Sequence, residues 1–185
     1  MQRCEKVPIG FGYDESNNGR YPSIHVLAYS RIPQDFYIFP ETNLLQKQRD
    51  HKKVNSKLRT PNRDYSFLLF TEADLERLHE KYKVLGVILG SLLFKESVSP
   101  PIHLYVDGGR YEREIDFAHK CIREVTGLKR REIFLHFGPR YDRRSPIVNL
   151  ADEIANWLLR KKTPFLKLRD HLHRKPVIPL ESIVR

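Results

Sequence analysis

Cysteine is nearly absent: only Cys4 and Cys121 occur in 185 residues. Two thiols cannot build a disulfide framework, and neither has the neighbours of a zinc site, so an intracellular protein is expected. Long apolar runs are also missing. The best candidate, residues 84–94, is broken by Gly86 and Gly90 and falls short of the roughly 20 residues a membrane helix needs, so no membrane partner is expected. No apolar segment follows the opening Met1-Gln2-Arg3-Cys4-Glu5, and no secretory leader is expected. There is no phosphate-loop motif. Gly10 and Gly12 lack the third glycine and the following helix of a dinucleotide fingerprint. His171 and His173 have no further ligands at metal spacing.

What is abundant is positive charge. Thirty-three Lys and Arg against 23 Asp and Glu leave a net charge of +10. An excess of that size attracts polyanions, and a phosphate backbone is the usual one. The charge implies a nucleic-acid partner without deciding between DNA and RNA. An aromatic content of 11% argues for a packed fold, and the length suits one domain. We place an α/β domain at residues 1–162 and a basic tail at 163–185, where Pro164, Pro176 and Pro179 prevent one continuous helix.

Periodicity organises the domain. Residues 7–13 alternate Ile9, Phe11 and Tyr13 with Gly10 and Gly12, so one face of this first strand is bare and open to another backbone or a ligand. Asp14 falls on that bare side, and 14–20 reads as a polar turn. Strands are expected at 23–29, 35–39 and, more briefly, 64–70. Between the last two lies a basic stretch, 46–63, that suits an exposed helix or a loop and carries Lys47, Lys52 and Lys53. Thr71 caps an expected helix over 71–94. A strand at 102–107 follows Pro100-Pro101, then a helix at 113–125 closed by Gly127, a strand at 132–137, and a helix at 146–160 led by Pro146. Strands joined through helices imply parallel crossovers, hence a mixed sheet flanked by helices.

Three acids stand where such sheets build their sites. Asp14 ends the first strand, Asp107 ends the strand at 102–107, and Asp152 lies early in the last helix. Converging carboxylates repel one another unless a cation joins them, and Mg²⁺ or Mn²⁺ takes oxygen ligands. Each acid also has a plainer reading. Asp14 and Asp107 both precede glycine-containing turn sequences, and Asp152 shares a polar helical stripe with Asn149, Glu153 and Asn156. The pattern does not choose Asp152 over Glu153.

The strand ending Asp14-Glu15-Ser16 and the helix opening Asn149-Leu150-Ala151-Asp152 resemble an uncharacterised branch of the ribonuclease H-like superfamily. The resemblance spans roughly residues 7–160. It implies three antiparallel strands followed by alternating helices and parallel strands. It also implies metal-binding, catalytic roles for Asp14, Asp107 and Asp152, with Glu15, Asp142 and Glu153 as further candidates. The helix glutamate of ribonuclease H itself has no motif here to pick it from Glu72, Glu76 and Glu80, and its late partner near the site is matched only loosely by His136 or Asp142.

Beside these acids, the segment 138–146 carries Arg140, Arg143 and Arg144, whose planar guanidinium groups suit phosphate, and Tyr141, which suits stacking on a base. The expected activity is metal-dependent phosphodiester hydrolysis with Mg²⁺ or Mn²⁺, the backbone being held by these arginines and by Lys52 and Lys53. The other expectation is a non-catalytic nucleic-acid-binding or assembly protein on the same fold. Oligomeric state is not legible.

Overall fold

The first strand, β1 (Ile9–Ser16), runs through the centre of the sheet and sends its two faces to different cores. The computed structural model describes residues 9–16, 23–58, 62–70, 81–95, 100–108 and 111–160. Thr71, the expected helix cap, and Glu72, Glu76 and Glu80 lie outside the described residues, as does the basic tail.

β1 pairs antiparallel with β2 (Ser23–Ser30), and β2 antiparallel with β3 (Arg63–Phe70). On its other side β1 pairs in parallel with β4 (Ile102–Asp107), which pairs in parallel with β5 (Ile133–Gly138). The order across the five-stranded sheet is β3-β2-β1-β4-β5. This is the mixed sheet flanked by helices that the residue pattern implies.

Alternation assigns the faces. Phe11, Tyr13, Leu27, Leu104 and Val106 point to one core, which they share with α2 (Lys81–Lys95) and α3 (Glu112–Thr126). Gly127 closes α3 at φ 71°, a left-handed conformation that glycine adopts without strain. Ile24, Val26, Ala28 and Tyr105 point to the other core, closed by Ile147, Leu150, Ile154 and Leu158 of the last helix. α1 (His51–Leu58) adds Val54 to this core, so the basic stretch is in part a packed helix. The last helix, α5 (Pro146–Arg160), begins and ends where its amphipathic pattern does. A four-residue helix, α4 (Tyr141–Arg144), precedes it inside the arginine-rich segment. Among the described residues no helix is long and apolar enough to cross a membrane.

Two expectations are corrected. The strand expected at 35–39 is instead a 3₁₀ turn, Pro33–Phe36. Pro33 offers no N–H to a ladder. Asp35 is buried, accepting a hydrogen bond from the Ser30 hydroxyl at 2.6 Å and a two-pronged one from the Arg63 guanidinium at 2.7 and 2.6 Å. That pair folds the segment back against the sheet, and residues 63–70 supply the third antiparallel strand. Of the turn expected at 14–20, Asp14, Glu15 and Ser16 are strand instead, paired with Val26, His25 and Ile24, and residues 17–20 lie outside the described residues.

Candidate active site

The bare face of β1 is filled by helix backbone. A Cβ built on Gly12 would stand 2.4 Å from the carbonyl carbon and oxygen of Ile147 and 2.7 Å from Val148 N. Only glycine lets the first turn of α5 lie so close to the strand. Two residues along the same face, Asp14 emerges beside Asp152, less than two turns further along α5.

The pair is electrostatically loaded. Burial, and then the neighbouring Asp152 carboxylate, push Asp14 up to about 8 from its ordinary 3.8, against the lowering effects of the Glu15 main-chain amide and the Lys47 ammonium. Asp152 is only 7% exposed. Its Oδ1 accepts from Asn156 Nδ2 at 2.9 Å and from Lys47 Nζ at 3.2 Å. Its Oδ2 is buried and has no hydrogen-bond partner. Two carboxyl groups in one buried place, one of them with an orphaned oxygen, can be relieved by a shared proton or by a cation.

Asp107 stands at the end of β4, one residue past Val106, whose partner in the parallel ladder is Tyr13, the residue before Asp14. Burial and the Asp142 charge raise its carboxyl above the ordinary range, against lowering by main-chain hydrogen bonds. Its Oδ1 accepts from the Tyr141 main-chain N–H at 2.6 Å and more weakly from that of Asp142 at 3.5 Å. It thereby holds the start of α4. Among the described residues no group of three His, Cys, Asp or Glu side chains is spaced to hold a metal ion. The acids that lie together are Asp14 and Asp152; Lys47 joins Asp152 to Asp142, and the Asp142 charge acts on Asp107.

The other candidates separate. Glu15 points to the opposite face of β1, where it accepts from the Tyr13 hydroxyl at 3.2 Å and lies 3.7 Å from His25 Nδ1. Glu153 has a fully buried side chain that accepts from Lys57 Nζ at 2.6 Å and from the Gln48 N–H at 2.6 Å. It fastens the basic segment to α5. Asp142 accepts from Lys47. His136 is hydrogen-bonded to His103, at 3.0 Å. Arg140, Arg143, Lys52 and Lys53 are exposed, whereas Arg144 donates from Nε to the Phe39 carbonyl at 2.8 Å. The Tyr141 ring packs over Gly138 beside the α5 core.

Lys47 is the member of this cluster that sequence reading did not single out. Burial opposes its charge, but hydrogen bonds to Asp142 and Asp152 outweigh this and hold the ammonium above its ordinary range. Nothing in a stretch with Lys47, Arg49, Lys52, Lys53 and Lys57 marks out Lys47 and Lys57 as the lysines that reach buried acids.

No protein-family model and no curated protein matches the chain. Solved structures do. The ribonuclease H2 of Pyrococcus horikoshii OT3 is similar at a TM-score of 0.50 and 21% identity, over 88% of this chain and 76% of that one. The fold is ribonuclease H-like. Bst-RNase HIII, solved in complex with Mn²⁺, is similar at a TM-score of 0.53 and 14% identity, over 90% of this chain and 56% of that one. Likeness at these identities speaks for the architecture alone. In this chain Asp14 lies near the carboxyl end of β1, Asp107 ends the adjacent strand β4, and Asp152 is on α5, which packs on β1.

Proposed function

We propose that this ribonuclease H-like domain binds nucleic acid and hydrolyses phosphodiester bonds with the help of a divalent cation, Mg²⁺ or Mn²⁺. The observation that carries the reading is the Asp14–Asp152 pair: a carboxyl pushed up to about 8 beside a buried carboxylate oxygen that has no partner. Asp14 and Asp152 would hold the ion, and Asp142, joined to Asp152 through Lys47, would lie next to them. A bound divalent ion supplies positive charge for a phosphodiester oxygen and makes a nearby water more acidic. Arg140 and Arg143, exposed at the rim, bind backbone phosphates, aided by Lys52 and Lys53 on α1. The similar structures, a ribonuclease H2 and an RNase HIII in complex with Mn²⁺, support the same reading by analogy.

A second reading has its own observation. The Lys47 ammonium already neutralises Asp142 and Asp152, and Asp107 is engaged in holding α4. Both facts suit a nucleic-acid-binding protein that performs no cleavage.

One experiment separates the two. Labelled single-stranded RNA, single-stranded DNA, duplex DNA and an RNA–DNA hybrid are incubated with the protein in Mg²⁺, in Mn²⁺ and in chelator. The nuclease reading expects divalent-dependent cleavage of at least one of them, abolished in Asp14→Asn and Asp107→Asn variants that still fold. Cleavage unchanged in both variants removes the site. Salt-sensitive binding that is indifferent to chelator, with no cleavage, establishes the second reading.

A further inference from the structure

The candidate site contains a cation of its own. Lys47 lies on the irregular segment between the 3₁₀ turn and α1, and that segment is fastened on both sides of it. The Phe39 and Leu45 amides donate to the Arg144 and Arg143 carbonyls at 2.8 and 2.7 Å, and the Gln48 amide donates to the Glu153 carboxylate at 2.6 Å. The backbone at Lys47 is therefore held, while the four-carbon side chain is free to swing on its own rotors. Its Nζ sits 2.5 Å from Asp142 Oδ2 and 3.2 Å from Asp152 Oδ1. The side chain is 37% exposed, so solvent lies open on one side of it.

We infer that Lys47 is the resident counter-ion of the carboxylate cluster, and that a divalent cation enters the Asp14–Asp152 pair by displacing its ammonium. The inference rests on the metal reading above. Asp152 is the residue the two cations would share: Oδ1 serves the ammonium, and Oδ2, buried and without a partner, is left for the newcomer. A positive charge held 3.2 Å from one oxygen of Asp152 opposes a second cation on the same carboxylate. Lys47 thus keeps the acids together when no metal is bound, and it sets a threshold concentration below which the metal does not enter.

The test is calorimetric titration of the full chain with Mn²⁺, for the wild type and for Lys47→Met, Lys47→Gln and Lys47→Arg. The two neutral variants are expected to bind Mn²⁺ at least about tenfold more tightly than the wild type, since the opposing charge is gone. Lys47→Arg is expected to stay near the wild type. In chelator, the neutral variants are also expected to melt below the wild type, and Mn²⁺ is expected to restore them more than it raises the wild type. Equal or weaker Mn²⁺ binding by both neutral variants overturns the inference and leaves the metal reading standing. Absence of Mn²⁺ binding by wild type and variants alike overturns the metal reading and this inference with it. No nuclease assay is involved, so loss of activity from any other cause does not enter.

Discussion

Gly12 and Ile147 are in backbone contact: a Cβ on Gly12 would meet the Ile147 carbonyl carbon and oxygen at 2.4 Å. This contact brings the first turn of α5 down onto β1 and sets the height of Asp152 above the strand that carries Asp14. The obstacle is main chain, so no rotamer change relieves it. Gly12→Ala is expected to cost about 3 kcal/mol, as overpacking a close contact does. For a domain of this size that lowers the melting temperature by roughly 6–12 °C. Mn²⁺ affinity is expected to fall as well, because the carboxylates are pushed apart. A Gly12→Ala protein that melts with the wild type contradicts the close approach.

The Asp14–Asp152 pair predicts an unusual pH profile. A carboxyl near 3.8 in the unfolded chain and near 8 in the folded one binds more protons when folded. Its contribution is fully present below about pH 4 and is lost as pH rises through about 8, the reverse of an ordinary salt-bridged carboxylate. Urea denaturation in chelator at pH 5 and pH 9 is expected to show a loss on the order of 1–3 kcal/mol across that interval. Asp14→Asn is expected to flatten the slope and to raise stability at pH 9, while abolishing Mn²⁺ binding. The same slope in Asp14→Asn would assign the titration to another group.

Arg140 and Arg143 are exposed on either side of the α4 start, whereas Arg144 is tied to the Phe39 carbonyl. The three arginines should therefore behave differently. Replacing Arg140 and Arg143 together by Ala is expected to reduce the slope of log affinity against log salt by about 2, with no change in melting temperature. Arg144→Ala is expected to lower the melting temperature. An unchanged salt slope in the double variant would move the phosphate contacts to Lys52, Lys53 or the basic tail.

Some of this was legible along the chain and some was not. The first strand was readable because Ile9, Phe11 and Tyr13 alternate with glycines, and the last helix because Pro146 opens an uninterrupted amphipathic pattern. Both signals are local. The stretch 35–39 has strand-like composition, yet its conformation follows from Asp35 meeting Arg63, 28 positions later in sequence. Lys47 and Asp152 are 105 positions apart, so no local pattern joins them. Neighbouring acids fail for the same reason. Asp152 and Glu153 are both polar, both buried and one residue apart, and only tertiary partners tell them apart: Asp14 and Lys47 for the first, Lys57 and the Gln48 amide for the second.

That division of labour gives a last prediction. Glu153 has a side chain with no solvent exposure, paired with Lys57 and with the Gln48 amide. Asp152 has a buried Oδ2 that no basic side chain or main-chain amide reaches, and its carboxyl lies against that of Asp14. Glu153→Gln weakens charge-assisted hydrogen bonds from the Gln48 amide and from Lys57, whose half-exposed ammonium can turn to solvent, and it is expected to cost about 1.5–3 kcal/mol. At a temperature where the variant is folded, its Mn²⁺ affinity should stay within about threefold of the wild type, since Glu153 faces the segment and not Asp14. Asp152→Asn is expected to do the opposite: it relieves the repulsion with Asp14, so stability holds or rises, and Mn²⁺ binding disappears. Denaturation and metal titration of the two variants side by side decide the matter. If Glu153→Gln abolishes Mn²⁺ binding and Asp152→Asn spares it, the roles of the two acids are exchanged, and the carboxylate that works with Asp14 is Glu153.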